Sequence, residues 1–258
     1  MKTKEKIIYY KDPLNDDFAN NKIKTKNIPQ NYNYIKSRPR TFFANLFYYL
    51  VFPVVYIIQK IVYGEKYVGK KKLNPYKKTG FFMFGNHTRA MGDAYSPSII
   101  AFPKKAYIIC NPDAVSIPFV SRITKDLGAI PVPAQNDFYN LKKLFKAVEL
   151  HAQKKHVITI FPEAHIWPFC TKIRPFLSTS FKYAVKFNKP VFCFTTTYSK
   201  RRFLKTPKTT VYIDGPFFCD SALTDAENQE FLRNQVYNAM LSHSSQNTAE
   251  FIKYIKQE

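Results

Sequence analysis

The rhythm of apolar and polar positions divides this 258-residue chain into three stretches. Residues 1–40 mix charge, Asn and Pro (Asp12-Pro13, Ile28-Pro29, Arg38-Pro39) with neither helical nor strand periodicity, which predicts a polar arm lying over a larger body. Tyr9, Tyr10 and Phe18 are the side chains expected to dock it. Thr41 to Gln59, TFFANLFYYLVFPVVYIIQ, carries no charge and is bracketed by Arg38, Arg40, Lys60 and Lys66. Its length just reaches what a bilayer-spanning helix needs. Pro53 near its middle, Asn45 and tyrosines at several depths fit equally a kinked helix or short hairpin lying in the headgroup region. A buried core helix is the third arrangement open to it. Segment 41–65 is therefore read as helical and membrane-associated.

From Gly80 onward, short apolar runs alternate with helical stretches, the pattern of an α/β sheet. Strands are expected at Phe81 to Phe84, Ala106 to Cys110, Val157 to Phe161, Val191 to Thr195 and Thr210 to Ile213. Phe138 to Gln153 repeats Leu141, Leu144, Phe145, Val148 and Ala152 at helical spacing with lysines opposite, an amphipathic helix feeding a strand. Thr224-Asp225-Ala226-Glu227 is a capping box, which predicts a following helix with Phe231, Leu232, Val236, Ala239 and Met240 inward. The expected fold class is α/β. A single domain over 66–258 has a mixed, mostly parallel sheet flanked by helices, with the membrane-associated segment before it.

Composition supports a packed core, with 45% hydrophobic residues, and so excludes general disorder. A net charge of +22 and 17% aromatic residues call for a partner: nucleic acid, an anionic membrane face or a phosphorylated substrate. Cys110, Cys170, Cys193 and Cys219 form no C-x-x-C pair and keep no ligand spacing to histidine, which favours free thiols in a reducing compartment. The polar N-terminal stretch carries no secretory signal pattern, so the cytoplasmic face of the cell membrane is the expected location.

Chemistry concentrates in two blocks. In Phe81-Phe82-Met83-Phe84-Gly85-Asn86-His87-Thr88-Arg89-Ala90-Met91-Gly92-Asp93, a buried strand ends at Gly85 and polar residues emerge where open α/β sheets place ligands. Asp93, expected at the start of the next helix, can fold back on His87. A carboxylate on one imidazole nitrogen fixes the tautomer and frees the other nitrogen to take a proton from a hydroxyl. Helix capping alone would explain such an Asp. The second block, His156 to Pro168, tips the balance, because Pro162 stops a strand and Glu163 emerges at the same sheet edge.

These blocks resemble the glycerolipid acyltransferases typified by lysophosphatidic acid acyltransferase. That family carries Asn-His, four residues, then Asp at one strand end, and Phe-Pro-Glu-Gly at another. Asn86-His87 to Asp93 and Phe161-Pro162-Glu163 answer in the right order, and the run FPEAHIWPFCTKIRPF is similar to a bacterial subset. The resemblance spans about residues 66 to 220. It implies that His87, paired with Asp93, deprotonates the acceptor hydroxyl, which attacks the thioester of an acyl-coenzyme A or acyl-carrier-protein donor. Asn86, Thr88 and Glu163 are implied to hold the substrate or the site around it. Neither a metal, nor a cofactor, nor a covalent acyl-enzyme is expected. The implied partners are a membrane phospholipid surface, the thioester donor and a lysophospholipid acceptor, 1-acylglycerol-3-phosphate in the first instance.

The chain departs from that pattern at three points. Five residues rather than four separate His87 from Asp93, with Gly92 expected to absorb the extra one in a turn closed to other residues. Ala164 stands for the family's Gly, and Ile166 for its Arg. Lys172 and Arg174 are then the candidate phosphate contacts, since a phosphate ester wants a cation and above all a guanidinium fork. A third family block corresponds only loosely to Gly128-Ala129-Ile130-Pro131-Val132, which lacks its Arg.

His165 is read as a hydrogen-bonding or packing residue, and Trp167 as a half-buried aromatic, an interface anchor or a residue over the acyl tunnel. The run Lys200 to Lys205 faces anionic lipid together with Lys70, Lys71 and Lys72, or is a solvated loop. Two other function classes fit parts of the sequence. A non-catalytic lipid-binding protein on the same fold is motivated by the extra residue and the missing arginines. A nucleic-acid-binding protein rests on charge alone, without zinc-finger spacing or an RRM aromatic signature.

Overall fold

A computed structural model describes residues 6–19, 27–90, 92–116, 120–204 and 206–257. Met91 of the first block and Lys205 of the basic run lie outside them. In chain order the elements are β1 (Lys6–Tyr10), α1 (Arg38–Val62), β2 (Lys66–Val68), β3 (Phe81–Gly85), α2 (Ser96–Ala101), β4 (Ala106–Cys110), α3 (Val120–Leu127) and β5 (Ala129–Pro131). There follow α4 (Phe138–Gln153), β6 (Val157–Ile160), α5 (Lys182–Lys186), β7 (Val191–Ser199), β8 (Lys208–Phe217), α6 (Asp225–Ser244) and β9 (Ile252–Lys256).

Seven strands form one sheet in the order β2-β8-β7-β3-β6-β4-β5. All neighbours run parallel except β7 and β8, so the sheet is mixed and mostly parallel, as expected. Strands β3 and β6 lie at its centre and are buried throughout, which is why they read as unbroken apolar runs rather than alternating ones. The pleat still sorts their side chains by face. Phe82, Phe84, Ile158 and Ile160 pack with Leu144 and Val148 of α4 and with Leu232, Val236 and Met240 of α6. Phe81, Met83 and Val157 point the other way, onto Leu73, Ile100 and Ala101. The Thr224 capping box forms as expected, but Phe231 is 36% exposed rather than inward. It stands one residue before Leu232, a step of about 100° around the helix.

Helix α1 is one continuous helix rather than a short hairpin. It runs unbroken through Pro53, from Arg38 to Val62, about 37 Å at 1.5 Å per residue. It is the one described helix long and apolar enough to cross a membrane, and only 11% of its most apolar stretch is buried, which excludes a core helix. Ala44, Tyr48 and Gln59 are its buried residues, whereas Phe42, Phe43, Leu46, Leu50, Val54, Ile57, Ile58 and Ile61 are exposed.

The arm also holds a strand that periodicity does not reveal. Strand β1 pairs in parallel with β9 as a separate two-stranded sheet. Its KIIYY run is uniformly apolar after Lys6 and its partner lies near the other end of the described chain, so no local pattern announces the pairing. Tyr10 and Phe18 do dock the arm, against Trp167, while Tyr9 is exposed. Strands β2, β5 and β9 are likewise absent from the expected set, being short edge or isolated strands of three to five residues.

Candidate active site

Strand β3 ends at Gly85, where glycine leaves room for the Phe194 ring, 2.2 Å from the position of an added Cβ. Beyond it the chain turns over the carboxyl edge of the sheet. The Asn86 amide donates to the Thr196 carbonyl at 3.1 Å and accepts from the Thr196 backbone N–H at 2.8 Å, pinning the turn to β7. The Thr88 hydroxyl is likewise engaged internally, 2.6 Å from the Tyr198 hydroxyl in a buried pair. Both side chains thus orient their neighbour His87.

The His87 ring stacks on Phe161, with ring centroids 4.3 Å apart, and its Nδ1 lies 3.0 Å from Asp93 Oδ2. An ionised carboxylate only accepts hydrogen bonds, so Nδ1 carries the proton and Nε2 presents a lone pair. The His87 side chain is 17% exposed and that of Asp93 only 1%, so solvent reaches the imidazole and not the carboxylate. Asp93 lies in the turn before α2, rather than at its first residues, and works as the hub of that turn. Its Oδ2 also accepts from the backbone N–H groups of Thr88 at 2.8 Å and Arg89 at 2.9 Å.

A buried charge chain backs this hub. Arg89 Nε lies 3.3 Å from Asp93 Oδ1, and Arg89 Nη1 forms a 2.8 Å ion pair with Glu65 Oε1. Nη2 of Arg89 donates to the Ser96 hydroxyl, and the Tyr67 hydroxyl donates to Glu65. Burial first, and then the adjacent Glu65 carboxylate, drive the Tyr67 hydroxyl far above the usual phenol range. Gly92 lies in the turn that precedes α2. Glycine is required there because an added Cβ would meet the Arg89 guanidinium at 2.5 Å. Neither Glu65 nor Arg89 was singled out from the sequence. A signal existed: Glu65 and Asp93 are the only acids between Asp17 and Asp113.

The second block closes over the first. Glu163 Oε2 accepts from the His87 backbone N–H at 3.0 Å and from Arg174 Nη2 at 2.9 Å, while Oε1 accepts from the Arg174 N–H at 3.0 Å. Backbone N–H groups of Trp167 and Phe169 donate to the carbonyls of His87 and Thr88 at 3.1 and 2.8 Å. Ala164, where the resembled family has Gly, holds φ +61°, a left-handed conformation that a Cβ opposes. Arg174 is 3% exposed and turned to Glu163, with the Trp167 ring facing its guanidinium at 4.8 Å. Lys172 is exposed. Trp167 is buried at 2% exposure, stacked with Tyr254, and so is no surface anchor. His165 lies 3.7 Å from the Asp17 carboxylate, and no cluster of metal-binding side chains occurs among the described residues.

In the basic run, Arg201 donates to the Ile61 carbonyl at 3.2 Å, bringing the β7–β8 turn against the end of α1. Phe203 at its tip is 85% exposed. Of the lysines expected beside it, Lys72 pairs with Asp214 at 2.8 Å and Lys70 donates to the Ile99 carbonyl at 2.7 Å.

No match is found among curated proteins. Among solved structures, the chain is similar to the 1-acyl-sn-glycerophosphate (LPA) acyltransferase PlsC from Thermotoga maritima, with 18% identity and a TM-score of 0.51 over 82% of this chain and 99% of that one. At that identity the likeness establishes the shared fold. The acyltransferase family model matches residues 62–197, more than half of the chain and all of both blocks. The chain therefore belongs to the acyltransferase family and is an acyltransferase enzyme.

Proposed function

We propose that the protein transfers a fatty acyl group from an acyl thioester to the free hydroxyl of a lysophospholipid, 1-acylglycerol-3-phosphate in the first instance, in phospholipid synthesis. The observation that carries this reading is the 3.0 Å contact between His87 Nδ1 and Asp93, which leaves Nε2 basic and accessible. Nε2 takes the acceptor hydroxyl proton as its oxygen adds to the thioester carbonyl. The tetrahedral intermediate expels the thiolate, which recovers the proton from the His87 imidazolium as the new ester forms. Asp93 stabilises that imidazolium, a general-base contribution of roughly 10² to 10⁴ in rate. The donor thiol belongs to coenzyme A or to an acyl carrier protein.

Of the residues expected to touch substrate, exposed Lys172 keeps the role of phosphate contact in this reading. Asn86, Thr88, Glu163 and Arg174 hold the His87 loop. The exposed face of α1 and the Phe203-Leu204 tip supply the membrane contact, with Lys60, Arg201 and Arg202 meeting anionic lipid at its cytoplasmic face.

Membranes carrying wild type or His87→Ala, given labelled acyl-coenzyme A or acyl carrier protein and a panel of lysophospholipids, test the proposal. A phospholipid product that disappears with His87→Ala is the expected result. No His87-dependent product with any pair would leave lipid binding without catalysis as the activity.

A further inference from the structure

At the amino ends of the sheet strands, one strand length or roughly 15 Å from His87, a cavity of about 240 Å³ opens between the arm, α1, α3 and the end of α4. Lys36, Arg38, Lys105, Lys125 and Lys154 line it, and no acidic side chain does. His151 and His156 complete the wall, with their Nδ1 atoms 3.0 Å apart. The nearest carboxylate, Asp126, is already shared by Lys36 at 3.3 Å and by Arg40.

We propose that this cavity binds a phosphate-bearing anion, separately from the acyl-transfer site. Five cations around one small cavity repel one another, and a doubly charged phosphate group relieves that repulsion while accepting several charge-assisted hydrogen bonds. Two of the cations are held in place. Lys105 is 4% exposed, and its Nζ donates to the Asn45 side chain at 3.1 Å and the Asp126 carbonyl at 2.9 Å. Lys125 Nζ stands 4.3 Å from the centre of the Tyr32 ring. Burial, then the neighbouring Lys36, pushes Lys105 down to about 7. Burial likewise holds His151 down to about 3 and His156 to about 4, so the wall is poised to gain positive charge when an anion enters.

The location also fits a lipid headgroup. Arg38, Thr41 and Asn45 of α1 face the cavity, while Phe42, Phe43 and Leu46 on the same turns are exposed. With that apolar face in a lipid surface, the cavity stands at headgroup level. A phosphorylated solute presents the same group, so the two sources are separated by experiment.

Histidine ring resonances of the labelled full chain are followed by NMR while inorganic phosphate is added, and again with phosphatidylcholine vesicles with and without phosphatidylglycerol. The expected result is movement of the His151 and His156 signals with His87 unmoved, and at least about tenfold weaker binding by Lys125→Ala/Lys154→Ala. A response to phosphate identifies a free anion, and a response confined to phosphatidylglycerol vesicles identifies a headgroup. Silence of the pair in every arm, or shifts that the double substitution leaves intact, overturns the proposal. Should the double variant fail to fold, Lys154→Glu alone, at an exposed position, is expected to give the same weakening, and its failure to do so overturns the proposal equally.

Discussion

Arg89 grips Asp93 twice, through its backbone N–H at 2.9 Å and its Nε at 3.3 Å, while its other edge is paired with Glu65. The carboxylate that orients His87 is thus itself oriented by a buried cation, and that cation by a second carboxylate.

Removing the middle member leaves two uncompensated buried carboxylates. Arg89→Met is expected to lower unfolding free energy by about 3–5 kcal/mol, measured by urea denaturation. Glu65→Gln combined with Arg89→Met is expected to lose clearly less than the sum of the single changes, because the two sites are in contact. Strict additivity would show that the pair is not coupled.

Asp93→Asn keeps the shape of the hub but not its charge. Its amide would face either the Arg89 Nε–H or the three donors at Oδ2, and the His87 imidazolium would lose its counter-charge. We expect kcat to fall by about 10² to 10⁴ with KM changed far less. Steady-state acyl transfer measures both, and a loss confined to KM would contradict the assigned role.

Ala164→Gly is expected to stabilise the protein by about 0.5–1 kcal/mol, the left-handed penalty less the entropy that glycine adds to the unfolded chain. A higher thermal midpoint with acyl transfer retained is the result to look for.

His151 and His156 lie below the ordinary histidine value of 6.5, through burial first, then through the paired His156 for the former and Lys154 for the latter. The unfolded chain then binds more protons than the folded one as pH drops below that value. Stability is full above it and is lost as pH falls towards 4 and then 3. In phosphate-free buffer, unfolding free energy is expected to fall by about 3 kcal/mol between about pH 6.5 and 5, roughly half of it from each histidine. His156→Gln should flatten that dependence; an unchanged slope would place acid sensitivity elsewhere.

Phe43→Ser/Leu50→Ser/Ile57→Ser on the exposed face of α1 should release the protein from sedimenting vesicles, at about 1.5–3 kcal/mol of lost lipid burial per side chain. The fold should survive, because the changed face touches little protein. Loss of structure by circular dichroism would mean the face packs inward.

What the residue pattern conveyed followed range. The central strands, α4 and the Thr224 cap declare themselves within a dozen residues, through burial on both faces or a 3.6-residue stripe. So did the His87 and Glu163 blocks, because each stands at the end of a strand visible by itself. The Glu65–Arg89 link did not, since a buried charge looks like any surface charge until its partner is placed. Strand β1 is invisible for the same reason, and the pattern that marks Gly92 as a turn residue does not reveal the guanidinium for which its missing side chain leaves room.

The pairing of β1 with β9 bears on the order in which the molecule matures. Trp167 and Cys170, on the loop that closes over His87, are packed by Ile8 and Tyr10 from one strand and Ile252 and Tyr254 from the other. On the ribosome β1 emerges early and must wait for β9, roughly ten seconds or more at ordinary elongation rates. The central sheet can consolidate during that delay, but the loop that closes over His87 lacks its packing until β9 arrives. The loop that closes over His87 therefore gains its backing only once β9 has been made, well after α1 has left the ribosome.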